Sequence, residues 1–68
     1  MNTKEKFCVN VATDLGEIIC SRLILEHLPR VGDAIKRNAR HFAIIYVEWN
    51  MDELESAFTR VDIEVEEI

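Results

Sequence analysis

Carboxylates are the most abundant chemically functional side chains of this protein, and they are concentrated in its last third. Segment 48–68 holds eight acidic residues and one base, whereas segment 22–47 holds five bases and two acids. Asp62, Glu64 and Glu66 alternate with apolar residues, and a strand with a side-chain period of two would place the three carboxylates on one face. A surface of one charge sign attracts partners of the opposite sign, so this pattern predicts a contact surface for a basic partner.

The candidate contact residues are the carboxylates of this segment and the single tryptophan. Trp49 ends a predicted apolar strand, where we expect a half-exposed indole that is available for contacts. The predicted partner-binding residues are Trp49, Asp52, Glu53, Glu55, Asp62, Glu64 and Glu66. The alternative is a purely solvated face, because charges on an edge strand also protect a sheet from aggregation.

The histidines and cysteines do not have the spacing of a catalytic or metal site. His27 and His41 are far apart in the chain, as are Cys8 and Cys20, whereas zinc ligands usually come in closely spaced pairs. A Cys/His nucleophile would also need an orienting group and an oxyanion hole, and the sequence marks neither. We therefore expect no enzymatic activity, no cofactor, no metal site, and two reduced, unlinked thiols in a cytoplasmic protein.

Length and composition indicate one small folded domain over residues 1–68. A chain of 68 residues is near the lower limit for a self-sufficient core, and its 49% hydrophobic content with one proline is typical of a globular domain. No apolar run approaches the roughly 20 residues of a membrane span. The net charge of −5 disfavours direct binding to duplex DNA, which needs a basic surface.

Period-two alternation predicts short strands at 7–12, 17–25, 34–36, 41–49 and 60–66. A short helix capped by Asn50 is predicted over 51–58. The predicted core contains Phe7, Val9 or Val11, Ile44, Val61, Ile63 and Val65, and we expect Tyr46 and Phe58 to pack there too.

The first two predicted strands are joined by a turn signal with Gly16 in a left-handed conformation. Pairing Thr13 with Glu17 across this turn would place Cys8 and Cys20 diagonally, too far apart for a disulfide. The alternative is a helix over 15–28 that begins at a capping box, which would give an α+β fold. We favour the strand, because glycine is a poor residue for a first helical turn.

The predicted fold is mainly β, a small five-stranded antiparallel barrel or curled sheet. The runs Leu28–Ile35 and Phe42–Val47 resemble small SH3-like barrels, in which a Gly-Asp turn often opens a strand whose hairpin partner is long and apolar. This resemblance spans residues 28–47, about a third of the chain. It implies an architecture rather than a function, because that fold serves many roles.

Two function classes follow from the sequence. The size, acidity and charge segregation resemble phage-encoded anti-defence proteins, including anti-CRISPR proteins that act as DNA mimics. That resemblance implies a non-enzymatic inhibitor or regulator, monomeric or weakly dimeric, which binds a basic nucleic-acid-binding protein in the host cytoplasm and contacts neither nucleic acid nor membrane. The alternative is an SH3-like adaptor or peptide-binding module that uses the region of Trp49.

Overall fold

A computed structural model describes residues 6–51 and 58–68, which form one five-stranded sheet. The strands are β1 (Lys6–Thr13), β2 (Ile18–Leu25), β3 (Ala34–Arg37), β4 (Arg40–Asn50) and β5 (Phe58–Glu67). Their order across the sheet is β2-β1-β5-β4-β3, and the sheet is curled into a half-barrel. The mainly-β prediction is confirmed, and this architecture is compatible with an SH3-like barrel.

The helical predictions have different outcomes. The alternative helix over 15–28 is wrong, because residues 18–25 form strand β2. The short helix predicted at 51–58 falls mainly on residues 52–57, which lie outside the described residues, as does the side chain of Phe58. In the described ranges no helix is present, and hence none with the length and apolarity needed to cross a membrane.

The sheet is mixed, because β1 and β5 run parallel at its centre. The prediction of an entirely antiparallel sheet is therefore wrong. Each pair of consecutive strands runs in opposite directions, and four reversals leave the fifth strand pointing the same way as the first. The acidic strand β5 is central rather than an edge strand, so protection of an exposed edge does not explain its charges.

One face of the sheet, here called the inner face, carries the hydrophobic core. The buried hydrophobic residues are Phe7, Val9, Val11, Phe42, Ile44, Val61, Ile63 and Val65. The predicted core positions Phe7, Val9, Val11, Ile44, Val61, Ile63 and Val65 are all among them. The central register pairs Val9 with Val61, both of which are fully buried. Leu28, from the connection between β2 and β3, packs against this core from the open side of the half-barrel.

The turn between β1 and β2 forms as predicted, and Thr13 organises it. The backbone amide of Thr13 donates to the carbonyl of Glu17 at 2.8 Å, and the Thr13 hydroxyl accepts from the amide of Glu17 at 3.0 Å. Gly16 has φ of +95°, which is the left-handed conformation that this three-residue loop requires.

Beyond that turn the predicted register is wrong, because β2 contains two bulges. Ala12 pairs with Ile18 as predicted, but Val9 pairs with Leu23, so β2 accommodates two extra residues over this stretch. Arg22 lies in the second irregularity with φ of +56°, and its amide donates to Oδ1 of Asn10 at 3.0 Å. A pattern of apolar residues does not reveal such insertions, because β2 is apolar on both faces.

The bulges do not overturn the prediction that the two thiols are unlinked. Cys8 alternates with the buried Phe7 and Val9 and therefore points away from the core, whereas Cys20 packs against it. Both cysteines are free, and they lie on opposite faces of the sheet.

A third bulge, at Ile45 in β4, decides which residues of that strand face the core. Ile44 pairs with Val65, but Tyr46 pairs with Glu64, so Ile45 is the extra residue. Beyond the bulge Val47 turns inward, and Tyr46 is 52% exposed, so its predicted place in the core is wrong. Uninterrupted alternation from Ile44 would have put Glu48 on the inner face, where an unpaired carboxylate is costly to bury.

Substituting the adjacent residues Ile44 and Ile45 tests this bulge. We expect Ile44→Ala to lower the free energy of unfolding by about 2–5 kcal/mol, because it leaves a cavity in the core. Ile45→Ala should cost about 1 kcal/mol or less, because Ile45 is 38% exposed. Urea denaturation of the two variants measures the difference, and equal costs would contradict the assigned faces.

The turn between β3 and β4 has two residues, Asn38 and Ala39, with φ of +53° and +65°. Both values are positive, as in a type I′ hairpin, whose preferred sequence is Asn-Gly. We expect Ala39→Gly to raise the free energy of unfolding by about 1 kcal/mol, because it removes the strain of a left-handed alanine. Thermal and urea unfolding measure the gain. The control Ala43→Gly, in a strand, should instead be destabilising.

Candidate protein-binding surfaces

Four carboxylates lie together on the side of the sheet that points away from the core, here called the outer face. Asp62 and Glu64 are half-buried and alternate along β5 with buried apolar residues, and the exposed Glu66 continues the row. Successive members of such a row are about 7 Å apart. Glu48 of β4 lies opposite Asp62 and completes the group. We call Glu48, Asp62, Glu64 and Glu66 the carboxylate face.

Two of these carboxylates oppose each other directly. The register pairs Glu48 with Asp62, and like charges at opposed positions of neighbouring strands destabilise a sheet. On its other side Asp62 accepts a hydrogen bond from Nδ2 of Asn10 at 3.2 Å, and Asn10 also holds the bulged backbone of Arg22. In the described part of the chain no member of the carboxylate face belongs to an ion pair. Its charge is therefore available to a partner.

The predicted site residues divide into three groups. Asp62, Glu64 and Glu66 share the outer face, as their alternation predicts. Asp52, Glu53 and Glu55 lie outside the described residues. Trp49 belongs to the inner side of β4, where it is 49% exposed as expected.

Sequence reasoning omitted Glu48 and Asn10 from the site. Glu48 could have been found, because the core-facing residues of β4 change from even-numbered positions at Ile44 to odd-numbered positions at Val47. A one-residue bulge between them turns Glu48 outward. Nothing in the pattern identifies Asn10.

Trp49 forms one wall of a groove of mixed polarity. Its indole packs edge-on against Phe7, with ring centroids 5.4 Å apart and planes at 87°. The opposite wall is the connection between β2 and β3. The groove has a volume of about 650 Å³ and is lined by Phe7, Glu26, His27, Leu28, Pro29, Arg30, Val31, Val47 and Trp49.

A smaller recess lies across β4 from this groove. Its volume is about 320 Å³, and it is lined by Glu48, Trp49, Asn50, Met51 and Asp62. Glu48 and Asp62 make it acidic, because each contributes a carboxylate from the outer face. Trp49 borders both the groove and this acidic recess, so the two are separated by little more than the width of β4.

The histidines occupy unrelated places. His27 lines the groove, whereas His41 lies on β4 opposite Lys36. Among the described side chains no three His, Cys, Asp or Glu residues come together in a group that could hold a metal ion.

Arg40 has two acidic partners among the described residues, and it lies away from the carboxylate face. Its guanidinium donates to both carboxylate oxygens of Glu17 at 2.7 and 2.9 Å and to both of Glu67 at 2.8 and 3.0 Å. These hydrogen bonds hold the pKa values of Glu17 and Glu67 below their ordinary value of 4.5. The contact joins the first hairpin to the ends of β4 and β5, and we call these three residues the Arg40 clasp.

Compared with known proteins, the chain matches no family model, no curated protein and no solved structure.

The Arg40 clasp should make stability depend on pH in the acidic range. Because both carboxyl pKa values are lowered on folding, the contribution is complete above about pH 4.5 and is lost as the pH falls through the lowered values. We expect Arg40→Gln to lower stability at pH 7 and to flatten the decline below pH 4.5, as measured by urea denaturation across pH. Arg37→Gln is the control, since Arg37 is exposed and has no ion pair within the described residues. The same flattening in both variants would contradict the assignment.

Proposed function

We propose that this chain is a non-enzymatic protein-binding domain whose carboxylate face docks a partner with a basic surface. The observation that carries the proposal is the placement of Asp62, Glu64 and Glu66 on the central strand with Glu48 opposed to Asp62. A fold that needed only solubility would gain nothing from opposing two carboxylates at the middle of its sheet. Retention of a destabilising arrangement is typical of functional sites.

The spacing of the carboxylates favours a partner with regularly placed basic side chains. A row with about 7 Å between charges matches alternate residues of an extended strand, and it is close to the 5.4 Å rise of one helical turn. Such a surface accelerates encounter with the partner more than it strengthens the final complex.

The finer proposal is that the partner surface is one that otherwise holds nucleic acid. The lysines and arginines of that partner surface would bind the carboxylates of this chain in place of nucleic-acid phosphates. An acidic domain that does so acts as a DNA mimic and an inhibitor. The charge segregation of the chain supports this anti-defence role in a host cytoplasm. Competition decides it: duplex DNA should displace the chain from its partner, and simultaneous binding of both would contradict mimicry.

A second candidate is an SH3-like adaptor or peptide-binding module, which the groove beside Trp49 favours. The volume of this groove is within the range of about 300–1,000 Å³ that ligand pockets occupy, and its walls combine apolar side chains with the polar Glu26, His27 and Arg30. The two candidates place the partner on different faces of β4. Variants of the carboxylate face and of the groove therefore separate them.

The triple variant Asp62→Asn, Glu64→Gln, Glu66→Gln tests the carboxylate face. Each substitution should change the free energy of unfolding by about 0.5 kcal/mol or less. At low ionic strength association with the partner, first captured by cross-linking and then purified, should slow roughly tenfold. The difference from the unmodified chain should shrink as salt rises, because exposed charges are screened over about 8 Å at physiological ionic strength.

A variant with the same change in net charge serves as the control. Glu64→Gln with Glu66→Gln removes two charges from the carboxylate face, and Asp14→Lys changes the net charge by the same two units at an exposed position elsewhere. Stopped-flow association rates should fall more for the first variant. If the triple variant binds the purified partner with the same affinity as the unmodified chain from low to high salt, the carboxylate face is only a solvated surface.

A further inference from the structure

Strand β4 is much longer than β3, the strand that pairs with its edge opposite to β5. β4 spans Arg40–Asn50, but β3 pairs only with Arg40–Ala43. The preceding turn extends the pairing by one residue, because Gly32 donates to the carbonyl of Ile44 and the amide of Ile44 donates to Asp33, both at 2.9 Å. Beyond that point no described strand pairs with the edge of β4 that lies opposite to β5. We call the stretch 46–49 of this edge the β4 edge.

The two faces of the β4 edge differ sharply in chemistry. On the inner side are Val47 and Trp49, which form one wall of the groove. On the outer side are the exposed Tyr46 and Glu48, and Glu48 lines the acidic recess together with Asp62. The connection between β2 and β3 stands on the far side of the groove, so an extended segment along the β4 edge would lie between two walls.

We propose that the β4 edge binds an extended peptide segment of a partner protein, whose side chains alternate between apolar and basic. An added strand would satisfy the backbone groups of the edge, and pockets for alternate side chains would supply specificity. Because successive side chains of a strand point to opposite faces, apolar residues enter the groove while lysines or arginines enter the acidic recess. Charge complementarity with Glu48 and Asp62 sets the basic half of this pattern.

This inference rests on the proposed role in protein binding, and it adds the sequence chemistry of one bound segment. The carboxylates of β5 that continue the row, Glu64 and Glu66, lie outside the recess. The bound segment and the broader carboxylate face can therefore be tested with different variants.

The probe is the synthetic peptide acetyl-Val-Lys-Val-Lys-Val-Lys-amide, and the reporter is the fluorescence of Trp49, the single tryptophan of the chain. We expect a saturable change in emission as the indole is covered. Three peptides serve as controls: one with glutamate for lysine, one with the same residues in two blocks, and one with N-methylated backbone amides. Each should bind at least tenfold more weakly, because each loses the charge, the alternation or the strand pairing.

Protein variants then assign the two faces. Glu48→Gln should weaken binding of the lysine peptide roughly two- to fivefold, as expected for loss of one exposed ion pair. Val31→Asn should also weaken binding, since Val31 is exposed and lines the groove, and the substitution removes an apolar contact without changing the charge. Glu64→Gln with Glu66→Gln should leave the peptide affinity unchanged. That variant tests the proposed function above, so failure of one proposal is distinguishable from failure of the other.

Four results would overturn the inference. They are no change in Trp49 emission at millimolar peptide, equal binding of the N-methylated peptide, equal binding of the glutamate peptide, and insensitivity to Glu48→Gln and Val31→Asn together. Sedimentation gives a further check. A dimer of the chain that the lysine peptide does not dissociate would identify a second copy as the occupant of the β4 edge instead.

Discussion

The parallel pairing of β1 with β5 is the interaction on which the rest of this fold depends. It joins residues more than fifty positions apart, as in the contact between Asn10 and Asp62, and it brings together the most buried side chains of the sheet. Without it, the hairpin β1–β2 would be separated from the three-stranded unit β3–β4–β5, and an isolated hairpin is marginally stable in water. β5 also holds β4 on its other side, so one strand unites both halves.

The same constraint explains why the acidic residues form a surface. A central strand is covered on both edges by neighbours, so the alternating side chains of β5 form one row that faces the core and one row that faces away from it. The neighbouring strands place residues of different size beside this row: Ala12 lies beside Glu64 and Ala43 beside Glu66, whereas Tyr46 of β4 lies opposite Glu64. The outer face therefore combines carboxylates with one exposed aromatic ring.

Much of this arrangement could be predicted from the sequence, because period-two alternation is a local signal. The strands, the core of Val61, Ile63 and Val65, and the turn at Gly16 all depend on neighbouring residues. The three bulges and the parallel pairing do not. Bulges in β2 and β4 depend on contacts with other strands, such as the hydrogen bond from Arg22 to Asn10, and a one-residue insertion reverses the face of everything beyond it. That reversal moved Tyr46 out of the predicted core and brought Glu48 into the site.

The parallel arrangement of β1 and β5 also determines how the domain responds to mechanical load. Tension applied to the chain before β1 and after β5 pulls these two strands in opposite directions along their length. The evenly spaced hydrogen bonds of a parallel pair then bear the force together, in shear, rather than opening one at a time like a zipper. Rupture under load is governed by the unfolding rate. A sheet of this size is thereby suited to resist extension between its two ends.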